Sequence, residues 1–215
     1  MSDQCTIIKY PESWGFIREP ARPIELRRDY FNGMKFNDNF DWNNLWYDAV
    51  QVNSNYIFLI GPPLYGTKDF LAKNCQFTLA NGIQLPAQCI DIDRAGVTII
   101  QSPDWTDTIV LQPSNLVINV NRYTDTFENR KVIVTLQKDN PTSWIKEWIA
   151  YHRNNFGVDG IVIYDNNSTK YTTRELESSI QTPNVTVKVV EWNVPYGPQG
   201  FDCDYYNTWD SDYAQ

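Results

Sequence analysis

The stretch from Lys131 to Val190 constrains the fold more than any other part of the chain. Lys131-Val132-Ile133-Val134-Thr135-Leu136 is an almost unbroken β-branched run, the pattern of a strand buried on both faces of a sheet. Asn140-Pro141 comes next and reads as a helix start, with Asn140 as cap and Pro141 at the first helical position, where a missing N–H costs nothing. Beyond it Trp144, Ile145, Trp148, Ile149 and His152 recur at helical spacing on one face, turned to the sheet, and Asn155-Phe156-Gly157 supplies the stop. A second apolar run, Gly160-Ile161-Val162-Ile163-Tyr164, ends abruptly in Asp165-Asn166-Asn167-Ser168-Thr169. A short helix around 173–180 and a third run at 185–190 complete the series. Strand, helix, strand within one sheet requires parallel strands and a right-handed crossover, so this part is predicted to be α/β with a parallel sheet.

The preceding region reads differently. Short apolar or alternating runs at 46–50, 56–60, 75–79, 97–100, 108–111 and 116–120 are separated by turn chemistry such as Gly61-Pro62-Pro63, Asn81-Gly82 and Ser102-Pro103-Asp104. Strands of that length and spacing predict an antiparallel sandwich or small barrel. Residues 1–39 show no sustained period and carry Pro11, Pro20 and Pro23, which predicts an irregular arm. The expected organisation is an arm at 1–39, a β-rich domain at 40–127 and an α/β domain at 128–215.

Charge and cysteine usage narrow the function classes. The formal net charge is −8 and the basic residues are scattered, so no stripe is available to track a nucleic-acid backbone. A single nucleotide remains compatible, because a metal ion and a few local donors can hold one pyrophosphate on an acidic protein. Cys5, Cys75, Cys89 and Cys203 lie far apart and His152 is the only histidine, a pattern that argues against zinc. The chain shows neither a secretory leader nor an apolar stretch of spanning length, which predicts a cytoplasmic protein with reduced thiols. The glycosylation-type triplets at Asn166, Asn167 and Asn184 then read as coincidence. Eight Trp and thirteen Tyr exceed what a core of this size needs, and such side chains line sugar and base contacts as well as cores.

In an open parallel sheet, ligands sit outside the carboxyl ends of the strands. Two such ends are polar here: Gln137-Lys138-Asp139-Asn140 and Asp165-Asn166-Asn167-Ser168. They could bind a ligand or merely turn the chain. The segment from Gln137 to His152, with its W-x-x-x-W-I-x-Y-H pattern, followed by Gly157-Val158-Asp159-Gly160 and Tyr164-Asp165-Asn166-Asn167-Ser168-Thr169, resembles the start of glycosyltransferase family 92 and its bacterial relatives. The resemblance covers roughly the last 85 residues. It implies the first half of a Rossmann-like GT-A domain that transfers a hexose from a nucleotide sugar, a uridine diphosphate sugar, to a glycan acceptor. By it Asp165 contacts the base, Asp139 and Asn140 lie beside the nucleoside, and Gln137, Asn166 and Asn167 complete the nucleotide-binding set. His152 matches the family's Y-H pair and reads as a structural histidine.

The resemblance also implies a divalent cation, Mn or Mg, held by a D-x-D motif on a later strand. The triplets present, Asp91-Ile92-Asp93, Asp202-Cys203-Asp204 and Asp210-Ser211-Asp212, fall in the wrong places and read as surface acids. The expectation is therefore a fragment ending before the metal motif, without a catalytic carboxylate of its own. Two alternatives stand beside it: a carbohydrate-binding β-domain fused to a transferase remnant that no longer catalyses, and a purely structural β-sandwich.

Overall fold

The computed structural model describes residues 7–11, 14, 41, 43–64, 66–92 and 95–194, with two short paired strands at Asp202–Cys203 and Tyr206–Asn207. Most of the expected arm lies outside these residues. Two compact units divide between Tyr123 and Thr124. The division falls ahead of the expected 127/128 because the 124–131 turn packs with the residues of the second unit. Phe127 lies where a side chain on Gly160 would be, and the Asp159 carboxylate accepts from Lys131 N–H at 2.7 Å.

The first unit is β-rich. Its strands are β1 (Ile8–Lys9), β2 (Asn44–Trp46), β3 (Asp48–Asn53), β4 (Tyr56–Gly61), β5 (Gln76–Thr78), β6 (Gln84–Leu85), β7 (Ala87–Ile92), β8 (Ala95–Gln101), β9 (Thr108–Gln112), β10 (Leu116–Asn119) and β11 (Asn121–Arg122). They form a pair β1-β2, a four-stranded sheet in the order β10-β9-β5-β6 and a five-stranded sheet in the order β11-β3-β4-β8-β7. The strict alternation of β8 and β9 puts one face of each inward. Phe77, Ile109, Leu111 and Ile118 of one sheet share a core cluster with Ala49, Ile57, Leu59 and Ile100 of the other. Trp46 is fully buried among them and its indole N–H donates to Thr98 Oγ1 at 3.2 Å. A Cβ on Gly61 would stand 2.7 Å from Trp46 Cα, so only glycine lets those backbones approach.

Two features differ from expectation. The run 46–50 is two strands, broken at Tyr47. The sheet is mixed, because β11 runs parallel to β3. A helix, α1 (Gly66–Asn74), occupies a stretch that shows no clear period in sequence.

The second unit contains β12 (Val132–Gln137), α2 (Thr142–Phe156), β13 (Gly160–Asp165), α3 (Thr173–Ser179) and β14 (Thr186–Glu191). The strands pair in parallel in the order β12-β13-β14. An order that advances in one direction, with right-handed crossovers, puts both helices on the same face. Ile145, Ile149, Leu176 and Ile180 accordingly cluster with Ile161, Ile163, Val187 and Val189, each fully buried aliphatic contributing about 1.5–3 kcal/mol. Edge strand β12 is thus not buried on both faces as expected: Val134, on the face away from the helices, is 60% exposed.

Helix α2 differs from expectation at its start. Pro141, not Asn140, is the cap, and no side chain caps the helix. Trp144 is exposed, because the covered stripe runs through Ile145 and Ile149 instead. Gly157 closes the helix in the left-handed region, as its position predicts. Helix α3 begins with a capping box in which Thr172 and Glu175 exchange side-chain and backbone hydrogen bonds. The Glu177 carboxylate takes the N–H of Val189 at 2.7 Å on edge strand β14.

Candidate functional site

The carboxyl ends of β12 and β13 meet in a closed polar cluster. Gln137 and Asp165 are register partners on adjacent strands, both almost fully buried, and the Gln137 amide donates to Asp165 Oδ1. The same amide donates to Ser168 Oγ at 3.1 Å. Gln137 Oε1 accepts from Asn140 N–H at 3.2 Å and from the Tyr171 hydroxyl at 2.9 Å. A primary amide offers two N–H donors and two acceptor sites, so the Gln137 side chain is saturated.

Asp165 is nearly saturated as well. Oδ1 also accepts from Ser168 Oγ at 2.6 Å, and Oδ2 accepts from Ser168 N–H at 3.2 Å, which turns the chain out of the strand. The Asn166 amide donates to the carbonyls of Trp192 and Val194 at 3.1 and 2.8 Å, tying the exit of β14 to that of β13. Three of the expected nucleotide contacts, Gln137, Asp165 and Asn166, are therefore engaged with the protein itself.

The other three are more accessible: Asn167 is exposed, and Asp139 and Asn140 are half-buried. Asp139 adopts a left-handed φ of 53°, and its Oδ1 accepts from the N–H groups of Thr169 and Lys170 at 2.7 and 3.0 Å. The bond from Thr169 N–H is the main reason its carboxyl lies below the usual value. Among the described residues Oδ2 has a single hydrogen-bond contact, 3.4 Å from Thr169 Oγ1. The side-chain amides of Asn140 and Asn167 have no hydrogen bond among the described residues. Beside Asn140 lies the uncapped start of α2, with no acidic residue in its first turn. Among the described residues the N–H groups of Thr142 and Ser143 have no acceptor, whereas those of Trp144 and Ile145 donate to Pro141 O.

Ser168 and Tyr171 belong to the cluster although the expected set omits them. The Tyr171 hydroxyl lies within 2.7 Å of Asn140 O, and burial raises its pKa above the ordinary phenol value. The signal for Ser168 is local, a hydroxyl three residues after an aspartate at a strand end. Tyr171 carries no such signal, since only the fold brings it to Gln137.

His152 is half-buried, as a structural histidine would be, and its Nδ1–H donates to Trp148 O at 2.9 Å. Its ring packs on Trp148, Tyr151 and Phe156. Asp91 of the first acidic triplet serves the fold: it accepts from Leu64 N–H at 2.8 Å and lies 3.8 Å from Lys68 Nζ. Asp93 and the side chains of the two C-terminal triplets lie outside the described residues. Among the described residues no three His, Cys, Asp or Glu side chains converge, and no helix is long and apolar enough to cross a membrane. No protein-family model, curated protein or solved structure matches the chain.

Proposed function

We propose that the α/β unit is the nucleotide-binding half of a GT-A-type, Rossmann-like glycosyltransferase related to family 92, and that it takes a uridine diphosphate sugar at the ends of β12 and β13. The observation that carries this reading is the accessible set on a rigid base. Asn140, Asn167 and Asp139 Oδ2 offer mixed donors and acceptors beside the uncapped start of α2. Amides and a carboxylate suit a uracil edge and ribose hydroxyls, and the helix N–H groups suit a diphosphate. Gln137, Asp165 and Ser168 act as positioning residues that hold both loops in place.

The divalent cation that the resemblance implies would neutralise the pyrophosphate. Asp139 contributes one carboxylate at this mouth, which does not make a cation site, and no step of the proposal runs through the ion. Hexose transfer to a glycan acceptor is the reaction proposed for the complete domain.

Calorimetric titration of the chain with uridine diphosphate tests the reading. Saturable binding that weakens in Asn140→Ala while the fold is unchanged supports it. Absence of binding, or equal affinity in that variant, overturns it.

A further inference from the structure

The two sheets of the β-rich unit turn different surfaces outward. In the four-stranded sheet Leu111, Phe77 and Leu85 form a buried inward row. The rows beside it point outward and are largely polar: Gln112 with Gln76, and Val110 with Thr78 and Gln84. That is the ordinary case, an antiparallel sheet with one face on the core and one in water. In the five-stranded sheet Ala49, Leu59 and Thr98 form the fully buried inward row. The rows beside this one also point outward, yet both are apolar: Val50, Phe58 and Ile99 in one, Ile60, Val97 and Ile90 in the other. Ile60 is 43% exposed, and at the next outward positions of their strands Tyr56 and Ile92 are 40% and 57% exposed.

Size and charge select the occupant. Four strands about 4.8 Å apart, each of about six residues rising about 3.4 Å, give a face about 20 Å square. An exposed apolar patch of about 400 Å² is large enough to mark an interaction site. Asp48, at the β3 end of the second row, is the only charged side chain in these rows, and its carboxylate accepts from the Asn121 amide and from Ala49 N–H. Nothing there selects a phosphate, a lipid headgroup or a charged peptide. The chain carries a net charge of −8, so two copies repel unless they meet on a surface with almost no charge of its own. An apolar face meets that condition, and in a two-fold contact it is its own complement. Two such faces stack about 10 Å apart, as the sheets of a sandwich do. The area is smaller than the about 800 Å² per partner of a standard interface, which suits a dimer in exchange with monomer and not a permanent one.

We propose that the outer face of the five-stranded sheet is the interface of a two-fold dimer of this chain, dissociating in the micromolar range. The dimer stands apart from the nucleotide reading and holds whether or not the α/β unit binds a nucleotide.

Sedimentation velocity of the full chain, over concentrations from nanomolar to high micromolar, tests the proposal. A monomer–dimer equilibrium is expected, and added salt should leave it unchanged or tighten it, because salt screens the repulsion between two acidic chains. Ile60→Lys should weaken the dimer at least about tenfold, since an unpaired charge then enters the interface from each copy. This substitution lowers the net negative charge, so a general electrostatic effect would act in the opposite direction. Tyr56→Lys provides the same reading should the first variant fail to fold. Val117→Lys makes the same change of charge on the outer face of the four-stranded sheet, where Val117 pairs with Val110, and should leave association as it is. A monomer at every concentration overturns the proposal and assigns the face to a different partner or to another part of the chain. Assembly that grows past two copies overturns it as well, and so does a dimer that the Ile60 and Tyr56 variants leave intact or that Val117→Lys weakens equally.

Discussion

Gln137 and Asp165 close the last rung of the β12–β13 ladder: their Cα atoms are register partners and their side chains are hydrogen-bonded to each other. Backbone pairing sets the register, and the side-chain bond ties together the loops that leave the sheet. The cluster is consequently a structural device first, and any ligand meets its outer surface.

Asp165→Ala is expected to destabilise the α/β unit. It removes the acceptor for the Gln137 amide, Ser168 Oγ and Ser168 N–H in a buried setting. Hydrogen bonds to a charged group contribute about 1.5–3 kcal/mol each, and the loss of several is partly offset by relaxation and water entry, so a total near the upper end of that range is expected. Urea titration monitored by tryptophan fluorescence measures it, and an unchanged midpoint would show that the cluster does not hold the loops.

Asn140→Ala should do the opposite. The contacts of Asn140 are made by its backbone N–H and carbonyl, which the substitution keeps. Stability should stay within about 0.5 kcal/mol, as for a surface change. Uridine diphosphate affinity should fall about threefold to tenfold. A large loss of stability with no loss of affinity would reverse the roles assigned to Asn140 and Gln137.

Gly160 has a steric reason to be glycine. A Cβ there would stand 2.9 Å from Val132 Cγ2 and 3.0 Å from Phe127 Cδ1. Gly160→Ala should cost about 1–3 kcal/mol, as overpacking does, and Val132→Ala should recover part of the loss. Strictly additive effects of the two substitutions would show that the neighbours yield without strain.

Acid should weaken the α/β unit through two carboxylates. Asp139 is held low chiefly by the N–H of Thr169, and Glu175 chiefly by the N–H of Thr172. A carboxyl whose folded pKa is depressed contributes stability that is present above its unfolded pKa and lost as pH falls through the folded one. The loss should begin near pH 4.5, where Glu175 ordinarily titrates, and continue below 3.8 for Asp139. Denaturation midpoints measured between pH 7 and pH 3 should be flat above that window and fall within it. Asp139→Asn should flatten the lower part of the fall, and an unaltered profile in this variant would dismiss its share.

Cys75 should be a slow thiol. With its pKa near 11, its thiolate fraction at pH 8 is roughly two orders of magnitude below that of an ordinary cysteine. Alkylation in native buffer, compared with alkylation in denaturant and mapped by peptide mass, should show that ratio. Comparable rates in both states would mean that the Cys75 thiol is open to water.

Much of the second unit was legible in sequence because its signals are local. The β-branched runs, the helix that ends at Gly157 and the polar breaks after Leu136 and Tyr164 each depend on residues a few positions apart. The periodicities of the two units also differ in sequence. The antiparallel part of the first unit followed from turn spacing, but β11, which pairs parallel with β3 across a long separation, left no local trace.

The candidate site shows where local reading stops. The polar residues at both strand ends were visible, yet whether each turns inward or outward was not. Gln137 is one of six expected nucleotide contacts, yet its side chain is the point on which Ser168, Asn140 and Tyr171 converge within the protein. Trp144 fits the apolar stripe by spacing, but Ile145 and Ile149 occupy the covered line and leave it in solvent.

The sequence by itself determined where strands and helices lie in the second unit, and that its three strands could pair in parallel, because periodicity and chain-breaking residues act over a few positions. The tertiary structure alone decided that both helices cover one face of the sheet, which leaves Val134 exposed, and that Gln137 and Asp165 bond to each other. Those outcomes depend on strand order and on side chains 28 positions apart in sequence, and no local propensity encodes them.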